Sequence, residues 1–451
     1  MSLSQIAAAV GGVVSPGDDQ VLVDTVTIDS RVVAGAGLFV ALQGTQVDGH
    51  DYVAGFLAAG GVAALVERAV DGPYVLVENA TRALGDLARY YRTFFKLPVI
   101  GVTGSVGKTS TCGMIGAALS TIGAVGRTQG NLNNDLGVPL TILRLDDQHR
   151  YAVVEMGMDH FGEMRYLTGI VRPTIAVITG IGTAHIGNIG SQDGIFQAKM
   201  EILEGLGPDA VVVVNGDDRY LRPLRGQLGF RTVLYGLDNA QCDFKARDVQ
   251  LGATESSFYV RLEGADHRFV IPAPGAHHIY NALAAIAVGV ECGVPVDCLQ
   301  RGVMSFESGA MRQNIALVGG VRVIEDCYNA SPSSMEAALD VLALSAGGGR
   351  TIAVLGDMYE LGDLTESAHR GVGDYAAKVG ADIVVTVGDH AQLIAQAAEL
   401  AGTTTHHLDS NQAAVAFLAD LLVSGDTVLF KASRGARFEE ISQGTKLAIT
   451  G

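Results

Sequence analysis

The sequence predicts an α/β fold in three domains: a small N-terminal α/β domain, a central domain with a phosphate-binding loop (P-loop) on a mostly parallel sheet, and a C-terminal Rossmann-like domain. At 451 residues the chain is long enough for about three domains, because single cores rarely exceed roughly 250 residues. Continuous apolar runs followed by glycine-rich turns are typical of parallel strands covered on both faces. We place the domains at 1–83, 84–311 and 312–451.

The first domain is predicted from three short apolar stretches that are separated by turn residues. They are VLVDTVTID (21–29), GLFVAL (37–42) and VAALVE (62–67). The segment DSRVVAGAGLFVALQGTQVDGHDYV (29–53), which includes the second stretch, is rich in polar residues and glycine. It is typical of a surface loop, and such a loop could also bind a ligand.

The central domain is organised around GVTGSVGKTST (101–111). The apolar run LPVI (97–100) predicts a buried strand before this loop, and the residues after Thr109 have helical spacing. Glycines at a strand-to-helix turn let backbone N–H groups approach phosphate oxygens. The pattern is G-x-T-G-x-x-G-K-T, with Val102 where the strict Walker pattern has glycine. We predict ATP or GTP bound by residues of this loop: Gly104, Ser105, Gly107, Lys108, Thr109 and Ser110.

Further strands of this domain are predicted at YAVVEMG (151–157), TIAVITGIG (174–182) and AVVVVNGDD (210–218). Because ligands of such sheets bind at the carboxyl ends of the strands, the turns after them are expected near the phosphates. Glu155 could then be a Mg²⁺ ligand or a satisfied carboxylate. His185 is typical of a loop hydrogen-bonder, and the spacing around Lys199 alone predicts a solvated lysine.

The third domain is predicted from another set of alternating elements, which indicates a second doubly wound sheet. Its strands are VRVIED (321–326), RTIAVLGD (350–357), ADIVVTVGD (381–389) and DTVLFK (426–431).

Charge and cysteine content limit the partners and the compartment. Lysine plus arginine number 31 against 48 acidic residues, a net charge of −17, which argues against nucleic acid as a partner. Five scattered cysteines without C-x-x-C spacing suit a reducing cytoplasm. No signal peptide or membrane span is predicted. We therefore expect a cytoplasmic, monomeric protein with small-molecule substrates.

Six segments in addition to the P-loop resemble the motifs of the Mur ligase family, in the expected order. They are GNLNNDLGVPLTIL (130–143), EMGMDHFGEM (155–164), GAHHIYNALAA (275–285), DCYNASPSSM (326–335), LGDMYELG (355–362) and KASRGARFE (431–439). The chain is most similar to the type that joins D-alanyl-D-alanine to a UDP-muramyl-tripeptide. DSR (29–31), GLFVAL and DGHD (48–51) resemble the UDP-sugar domain of that type, which folylpolyglutamate synthetases lack.

The resemblance implies an ATP-dependent ligase with two Mg²⁺ sites. Implied catalytic residues are Lys108, His185, Lys199 and Arg312. Implied metal ligands are Thr109, Glu155, His185 and Lys199, the last as a carbamate, which would turn a cation into an oxygen ligand. Nucleotide contacts outside the loop are Asn281, Arg312 and Asp326. Implied substrate contacts are Ser30, Arg31, Asp48, His50, Asn133, Asn134, Asn329, Lys431, Ser433 and Arg434.

Four positions depart from the common pattern of the family. His278 and Ser331 stand where asparagine is usual, Gly187 where glutamate often follows the His185 turn, and Ala432 where glycine is commoner. None of these departures removes a charged catalytic group.

Two other functions remain open. One is a ligase of the same family with another substrate, such as a folate or a different peptide, which a substrate panel would separate. The other is a nucleotide-switched binding protein, which would release ADP without needing both ligase substrates.

Overall fold

A computed structural model describes residues 1–450 and confirms the α/β class, with sheets that are mostly parallel. The chain divides into two compact units. The first contains Met1–Thr103, Gly123–Ala176 and Met200–Val211, and the second contains Gly104–Ile122, Val177–Lys199 and the chain from Val212 onward.

The N-terminal part of the first unit has a five-stranded sheet in which one edge strand, β1, is antiparallel and the rest are parallel. Its order is β1-β5-β4-β3-β2. The elements are α1 (Leu3–Val10), β1 (Val13–Val14), β2 (Thr25–Thr27), β3 (Gly37–Val40), a 3-10 helix (Gly49–Tyr52), α2 (Val53–Ala58), β4 (Ala63–Val66), β5 (Tyr74–Leu76) and α3 (Ala80–Arg92).

The boundary predicted at residue 83 lies inside α3. Asn79 caps this helix by accepting the N–H of Arg82, and the helix continues to Arg92. Its apolar face, including Leu84 and Leu87, packs in one core with Leu3 and with Leu38 of β3. The helix therefore completes the core of the N-terminal sheet, and a cut at residue 83 would divide it.

A seven-stranded sheet follows, with the order β12-β11-β10-β9-β6-β8-β7. Its elements are β6 (Val99–Thr103), α4 (Lys108–Ser120), β7 (Ala124–Arg127), α5 (Gly137–Leu143), β8 (His149–Glu155), α6 (Glu163–Val171), β9 (Ile175–Ile178), α7 (Ile186–Ile189), α8 (Gln192–Met200), β10 (Val211–Asn215), β11 (Arg231–Gly236) and β12 (Phe244–Lys245). Strand β6 is buried throughout, as the apolar run predicts. It ends directly before the P-loop.

Residues 247–271 do not continue the mostly parallel sheet predicted for the central domain; they form a separate antiparallel sheet. Its strands are β13 (Arg247–Leu251), β14 (Ser256–Leu262) and β15 (Ala265–Ile271). Phe258 and Val260 are buried while Tyr259 between them is exposed, which is the period of two of a strand covered on one face. The helices α9 (Ala276–Glu291) and α10 (Val296–Met304) come next.

The C-terminal part has a six-stranded sheet of order β16-β17-β21-β18-β19-β20, with only the edge strand β16 antiparallel. Separate apolar clusters pack on it, as in a doubly wound fold. The elements are β16 (Asn314–Val318), β17 (Val321–Glu325), α11 (Pro332–Leu344), β18 (Thr351–Gly356), α12 (Thr365–Lys378), β19 (Ile383–Val387), α13 (Ala391–Leu400), β20 (Thr404–Leu408), α14 (Asn411–Leu421), β21 (Thr427–Lys431) and α15 (Phe438–Ala448).

Candidate active site

The P-loop needs glycine at two positions. Gly104 has φ 147° and Gly107 has φ 86°. A Cβ on Gly104 would collide with Oγ1 of Thr179, and one on Gly107 would lie 2.9 Å from Oδ1 of Asn281. The loop is thus held where a side chain cannot fit, so its backbone can approach a phosphate group.

Hydrogen bonds from the segment after β9 fix this conformation. The N–H of Ser105 donates to the carbonyl of Gly180 at 2.9 Å, and the Thr179 hydroxyl donates to the carbonyl of Val106 at 2.6 Å. The Nζ of Lys108 lies 2.9 Å from the Gly104 carbonyl. Oγ of Ser105 is buried without a hydrogen-bond partner in the protein. A buried hydroxyl in a loop of backbone amides suits a phosphate oxygen as its acceptor.

Asn281 links the P-loop helix to α9. Its Oδ1 accepts the Thr111 hydroxyl at 3.0 Å, and the side chain is buried. The residue implied as an adenine-side contact therefore also supports the loop.

Glu155 and Asn133, implied as a metal ligand and a substrate contact, lie together. Nδ2 of Asn133 donates to Oε1 of Glu155 at 2.7 Å. The backbone carbonyl of Asn133 accepts the N–H of Gly157 at 2.8 Å. Asn134 uses Oδ1 to accept the N–H of Gly137 at the start of α5. The segment thus fixes the rotamer of a carboxylate that is almost fully buried.

His185 has a partner that the sequence analysis did not name. Its Nδ1 lies 2.5 Å from Oε2 of Glu360, in the loop after β18. The N–H of Gly187 donates to the Glu360 carbonyl at 2.9 Å. Glu360 belongs to the segment LGDMYELG (355–362), but no local pattern predicts that its partner is His185, 175 residues away.

Lys199 is not solvated, which makes the prediction from spacing alone wrong. It lies in the last turn of α8, and only 1% of the residue is exposed. An ammonium so deeply buried is costly unless it is compensated or chemically changed.

The buried Lys431 forms an ion pair with the half-buried Asp326. The lysine Nζ lies 2.7 Å from Oδ2 of Asp326 and also donates to the carbonyl of Asn329 at 3.1 Å. Both side chains, implied as substrate and nucleotide contacts, hold each other in place. Oδ1 of Asn329 accepts the N–H of Ala330.

A cavity of about 300 Å³ lies within the second unit and is lined in part by Asn329, whose carbonyl accepts from Lys431. Its lining comes from the turn that contains His185, from residues 328–331 and 359–361, and from Ser433, Arg434 and Gly435. The Ser433 hydroxyl oxygen accepts the N–H of Tyr359 at 3.0 Å. The guanidinium of Arg434 lies 3.0 Å from Glu439. Three of the implied substrate residues, Asn329, Ser433 and Arg434, therefore share one cavity with His185.

The linker before β16 is held by aromatic and amide contacts. The Arg312 guanidinium stacks 4.0 Å above the Tyr328 ring. Next to it, Oε1 of Gln313 lies 3.0 Å from Nε2 of His277 and 2.9 Å from Nε2 of His278. Burial lowers the pKa of His277 to about 4 and that of His278 to about 3. The histidine found where asparagine is usual is thus a neutral hydrogen-bond donor at pH 7.

The implied UDP-sugar contacts form two hydrogen-bonded groups in the segments between strands of the N-terminal sheet. Arg31 contacts Asp29 through Nε at 2.8 Å and a terminal nitrogen at 2.7 Å, and this pairing lowers the pKa of Asp29 to about 2. Ser30 between them is half-buried.

The second group is centred on the carboxylate of Asp48. The N–H and ring of His50, with Arg68, lower the pKa of Asp48. Because Nε2 of His50 accepts the N–H of Glu67, its proton lies on Nδ1, 2.6 Å from Asp48. Arg68 is a member that the sequence analysis missed.

The carboxylates of Asp217 and Asp218, in the turn after β10, accept hydrogen bonds from the backbone of neighbouring turns. Asp217 accepts the N–H groups of Leu237, Asp238 and Asn239 and the hydroxyl of Tyr280. Asp218 accepts the N–H of Ile181 at 2.7 Å. Asp218 therefore supports the turn after β9, whose carbonyl at Gly180 holds the P-loop, whereas Asp217 holds the turn after β11.

Fold and site together define a P-loop nucleotide-dependent enzyme with a Rossmann-like C-terminal sheet. Three family models match in order: "Mur ligase family, catalytic domain" at residues 22–92, "Mur ligase middle domain" at 102–289, and "Mur ligase, glutamate ligase domain" at 311–434. The chain belongs to the Mur ligase family.

Two relatives carry the name UDP-N-acetylmuramoyl-tripeptide–D-alanyl-D-alanine ligase. The Bacillus subtilis protein is 36% identical, over 96% of this chain and 95% of the relative. The Escherichia coli protein is 34% identical, over 98% and 97%.

Solved structures agree with these relatives. MurF from Acinetobacter baumannii has a TM-score of 0.90 at 33% identity, covering 99% of this chain and 98% of the other. MurF ligase from Thermotoga maritima, solved in complex with ADP, has a TM-score of 0.84 at 27% identity, covering 95% and 98%. The three-domain Mur ligase fold, ATP-dependent ligation and use of ATP follow from this family membership.

Proposed function

We propose that this chain joins D-alanyl-D-alanine to UDP-N-acetylmuramoyl-tripeptide, with ATP converted to ADP and phosphate, in the synthesis of peptidoglycan precursors. The observation that carries the proposal is the cavity shared by His185, Asn329, Ser433 and Arg434, in the same compact unit as the P-loop. It offers a basic group and a hydroxyl oxygen to a small zwitterionic peptide. The full-length relatives with this name support the same substrates.

The reaction we propose proceeds through an acyl phosphate. The carboxylate of the tripeptide attacks the γ-phosphorus of ATP and ADP leaves; the dipeptide amine then attacks the carbonyl carbon and phosphate leaves. Direct condensation would have to expel hydroxide, whereas phosphate is a good leaving group. Lys108 and Arg312 neutralise charge on the transferring phosphoryl group. Closure of the three domains excludes water from the acyl phosphate.

Magnesium fits the oxygen donors of this chain. Among residues 1–450 no group of three or more His, Cys, Asp or Glu side chains is arranged to hold a metal ion. Mg²⁺ is commonly held by one or two protein oxygens together with substrate phosphates. We propose the Thr109 hydroxyl and Glu155 as those oxygens. When bound, the ion would polarise phosphate oxygens.

A second metal site involves Lys199 and His185. The burial of Lys199 supports its conversion to a carbamate, because a carbamate carries the oxygens that a metal ion prefers while an ammonium repels it. Since Nδ1 of His185 is engaged by Glu360, a metal contact would use Nε2.

We retain three domains but propose the first boundary after Arg92, because α3 packs in the N-terminal core. The matched ranges 22–92, 102–289 and 311–434 support this division. Among the helices of residues 1–450, none has both the length and the apolar composition that crossing a bilayer requires. We propose a cytoplasmic monomer that acts on small molecules.

The test is ADP release coupled to a fluorescent or absorbance readout. Each UDP-muramyl-tripeptide, with meso-diaminopimelate or lysine as third residue, is supplied with and without D-alanyl-D-alanine. We expect ADP release only when both substrates are present. Release without the dipeptide would instead favour a nucleotide-switched binding protein, and release with another acceptor would favour a different ligase of the family.

A further inference from the structure

The turn after β9 and the loop after β18 meet through four residues, which we call the clasp: His185, Gly187, Glu360 and Gly362. The ring of His185 contacts the Glu360 carboxylate, and the Gly187 N–H donates to the Glu360 carbonyl. Glu360 therefore binds the turn through its side chain and its backbone at once. His185 follows β9 of the P-loop sheet and Glu360 follows β18 of the C-terminal sheet, so this contact joins the two sheets.

The clasp requires glycine on both sides. A Cβ on Gly187 would lie 3.0 Å from the Glu360 carbonyl oxygen and 3.1 Å from the backbone nitrogen of Gly362. A Cβ on Gly362, which has φ 53°, would lie 3.0 Å from Cα of Gly187. These neighbours are backbone atoms, which cannot turn aside as the end of a long side chain does. A larger residue at position 187 would therefore separate the two segments.

Backbone conformations at the clasp are sparsely populated ones. His185 has φ 64° and Glu360 has φ 63°, in the left-handed region that residues with a Cβ rarely adopt. Such conformations persist where surrounding contacts over-determine them, and they concentrate at functional sites. The contact between the His185 ring and the Glu360 carboxylate is one of the contacts that hold them.

The clasp also borders the candidate dipeptide cavity, because His185 and Glu360 both line it. We propose that Glu360 is a positioning residue for the ligation reaction: through the clasp it fixes the His185 imidazole and closes the cavity over bound substrate. This role rests on the proposed function. Glu360 itself donates no group to the reaction; it holds the His185 ring through Nδ1.

Three substitutions separate the steric and the electrostatic parts of the clasp. Gly187→Ala adds one methyl group as a wedge and changes no charge. Glu360→Ala removes the carboxylate, whereas Glu360→Gln keeps an oxygen that can accept from Nδ1. Gly371→Ala is the matched control, because it lies in α12 and its Cβ would meet nothing within 4 Å.

We expect Gly187→Ala and Glu360→Ala to lower kcat by roughly 10- to 100-fold, as misplacement by an ångström can do, with the Kd for ATP within about twofold of wild type. Glu360→Gln should recover most of kcat, and Gly371→Ala should match wild type. A purely structural role would change thermal stability without this split between kcat and ATP binding.

Hydrogen exchange at the Gly187 amide supplies a readout that is independent of turnover. In wild type with both substrates this amide should be protected, and in Gly187→Ala the alanine amide should exchange at least about tenfold faster, because its acceptor is displaced. A kcat of Gly187→Ala within twofold of wild type, or equal exchange in both proteins, would overturn the proposal. If wild type shows no ligation, the proposed function fails, whereas the exchange comparison still decides whether the clasp exists.

Discussion

The Nζ atom of Lys431 lies 2.7 Å from Oδ2 of Asp326, and the lysine side chain is 2% exposed. The pair joins the ends of the adjacent parallel strands β17 and β21. Because Lys431 also donates to the carbonyl of Asn329, which lines the cavity, we expect loss of the pair to affect both stability and ligand binding.

Asp326→Asn should destabilise the protein by about 3 kcal/mol, because it leaves a buried ammonium without its counter-charge. Adding Lys431→Met should recover part of that loss, since no unpaired charge then remains. Urea unfolding monitored by circular dichroism measures both. Asp297→Asn is the control: its pair with Arg301 is exposed on both sides, so the change should stay within about 0.5 kcal/mol. Equal effects of Asp326→Asn and Asp297→Asn would contradict the prediction.

Lys108→Ala should lower kcat by roughly 10²- to 10³-fold, because a positioned positive charge at the phosphates is lost. The loop is held by Thr179 and Gly180, so the melting temperature should change little. Steady-state ADP release and differential scanning fluorimetry give the two values. Lys96→Ala, at an exposed position, serves as the control. Near-normal turnover of Lys108→Ala would remove the P-loop lysine from the mechanism.

Lys199→Ala should lose most activity and regain part of it when acetate or formate is added in excess. The reason is that a diffusing carboxylate can replace the oxygens of a carbamate, whereas it cannot replace an ammonium. Ligation rates with and without carboxylate test this, and mass spectrometry at high bicarbonate tests for the carbamate itself. Wild type should show no stimulation by carboxylate. Full activity of the variant in carboxylate-free buffer would refute the role.

Stability should fall as the pH drops below about 6.5, in part because of His278. Its pKa is about 3 in the folded protein and 6.5 as the reference, so the unfolded chain takes up a proton first. By pH 5 this one group should cost about 2 kcal/mol. His278→Asn keeps a donor for Gln313 and cannot titrate, so its stability should depend less on pH.

Urea unfolding at pH 7.5 and pH 5 measures that difference. The control is His160→Asn, because the His160 side chain is 65% exposed and should leave the pH dependence unchanged. Parallel pH profiles for wild type and His278→Asn would show that the His278 ring is protonated equally in both states.

Local chemistry explains why the P-loop could be predicted from the sequence. An apolar strand, glycines at fixed spacing and a lysine stand close together in the chain, and this pattern predicts a phosphate-binding turn. The structure places Gly104 and Gly107 where no side chain fits. The antiparallel sheet also has a local signal, because Phe258 and Val260 are apolar core residues on either side of the exposed Tyr259.

Long-range packing explains what the sequence did not disclose. The burial of Lys199 depends on what covers α8, not on the spacing within that helix. The partner of His185 is 175 residues away, so no local pattern could identify it. Similarly, the extent of the N-terminal core depends on α3, whose sequence also fits a connector between domains.

The composition of the core beneath the N-terminal sheet affects how the chain folds during its synthesis. Leu140 of α5 belongs to that core, and Leu136 and Leu143 pack against it. After Arg92 leaves the ribosome, about 50 more residues must be added before Leu143 leaves it too, which takes roughly 3 to 10 seconds of translation. For that interval the nascent sheet keeps an uncovered apolar surface. Chaperone contact should therefore be strongest on ribosome-bound chains from which Arg92 has emerged and Leu143 has not.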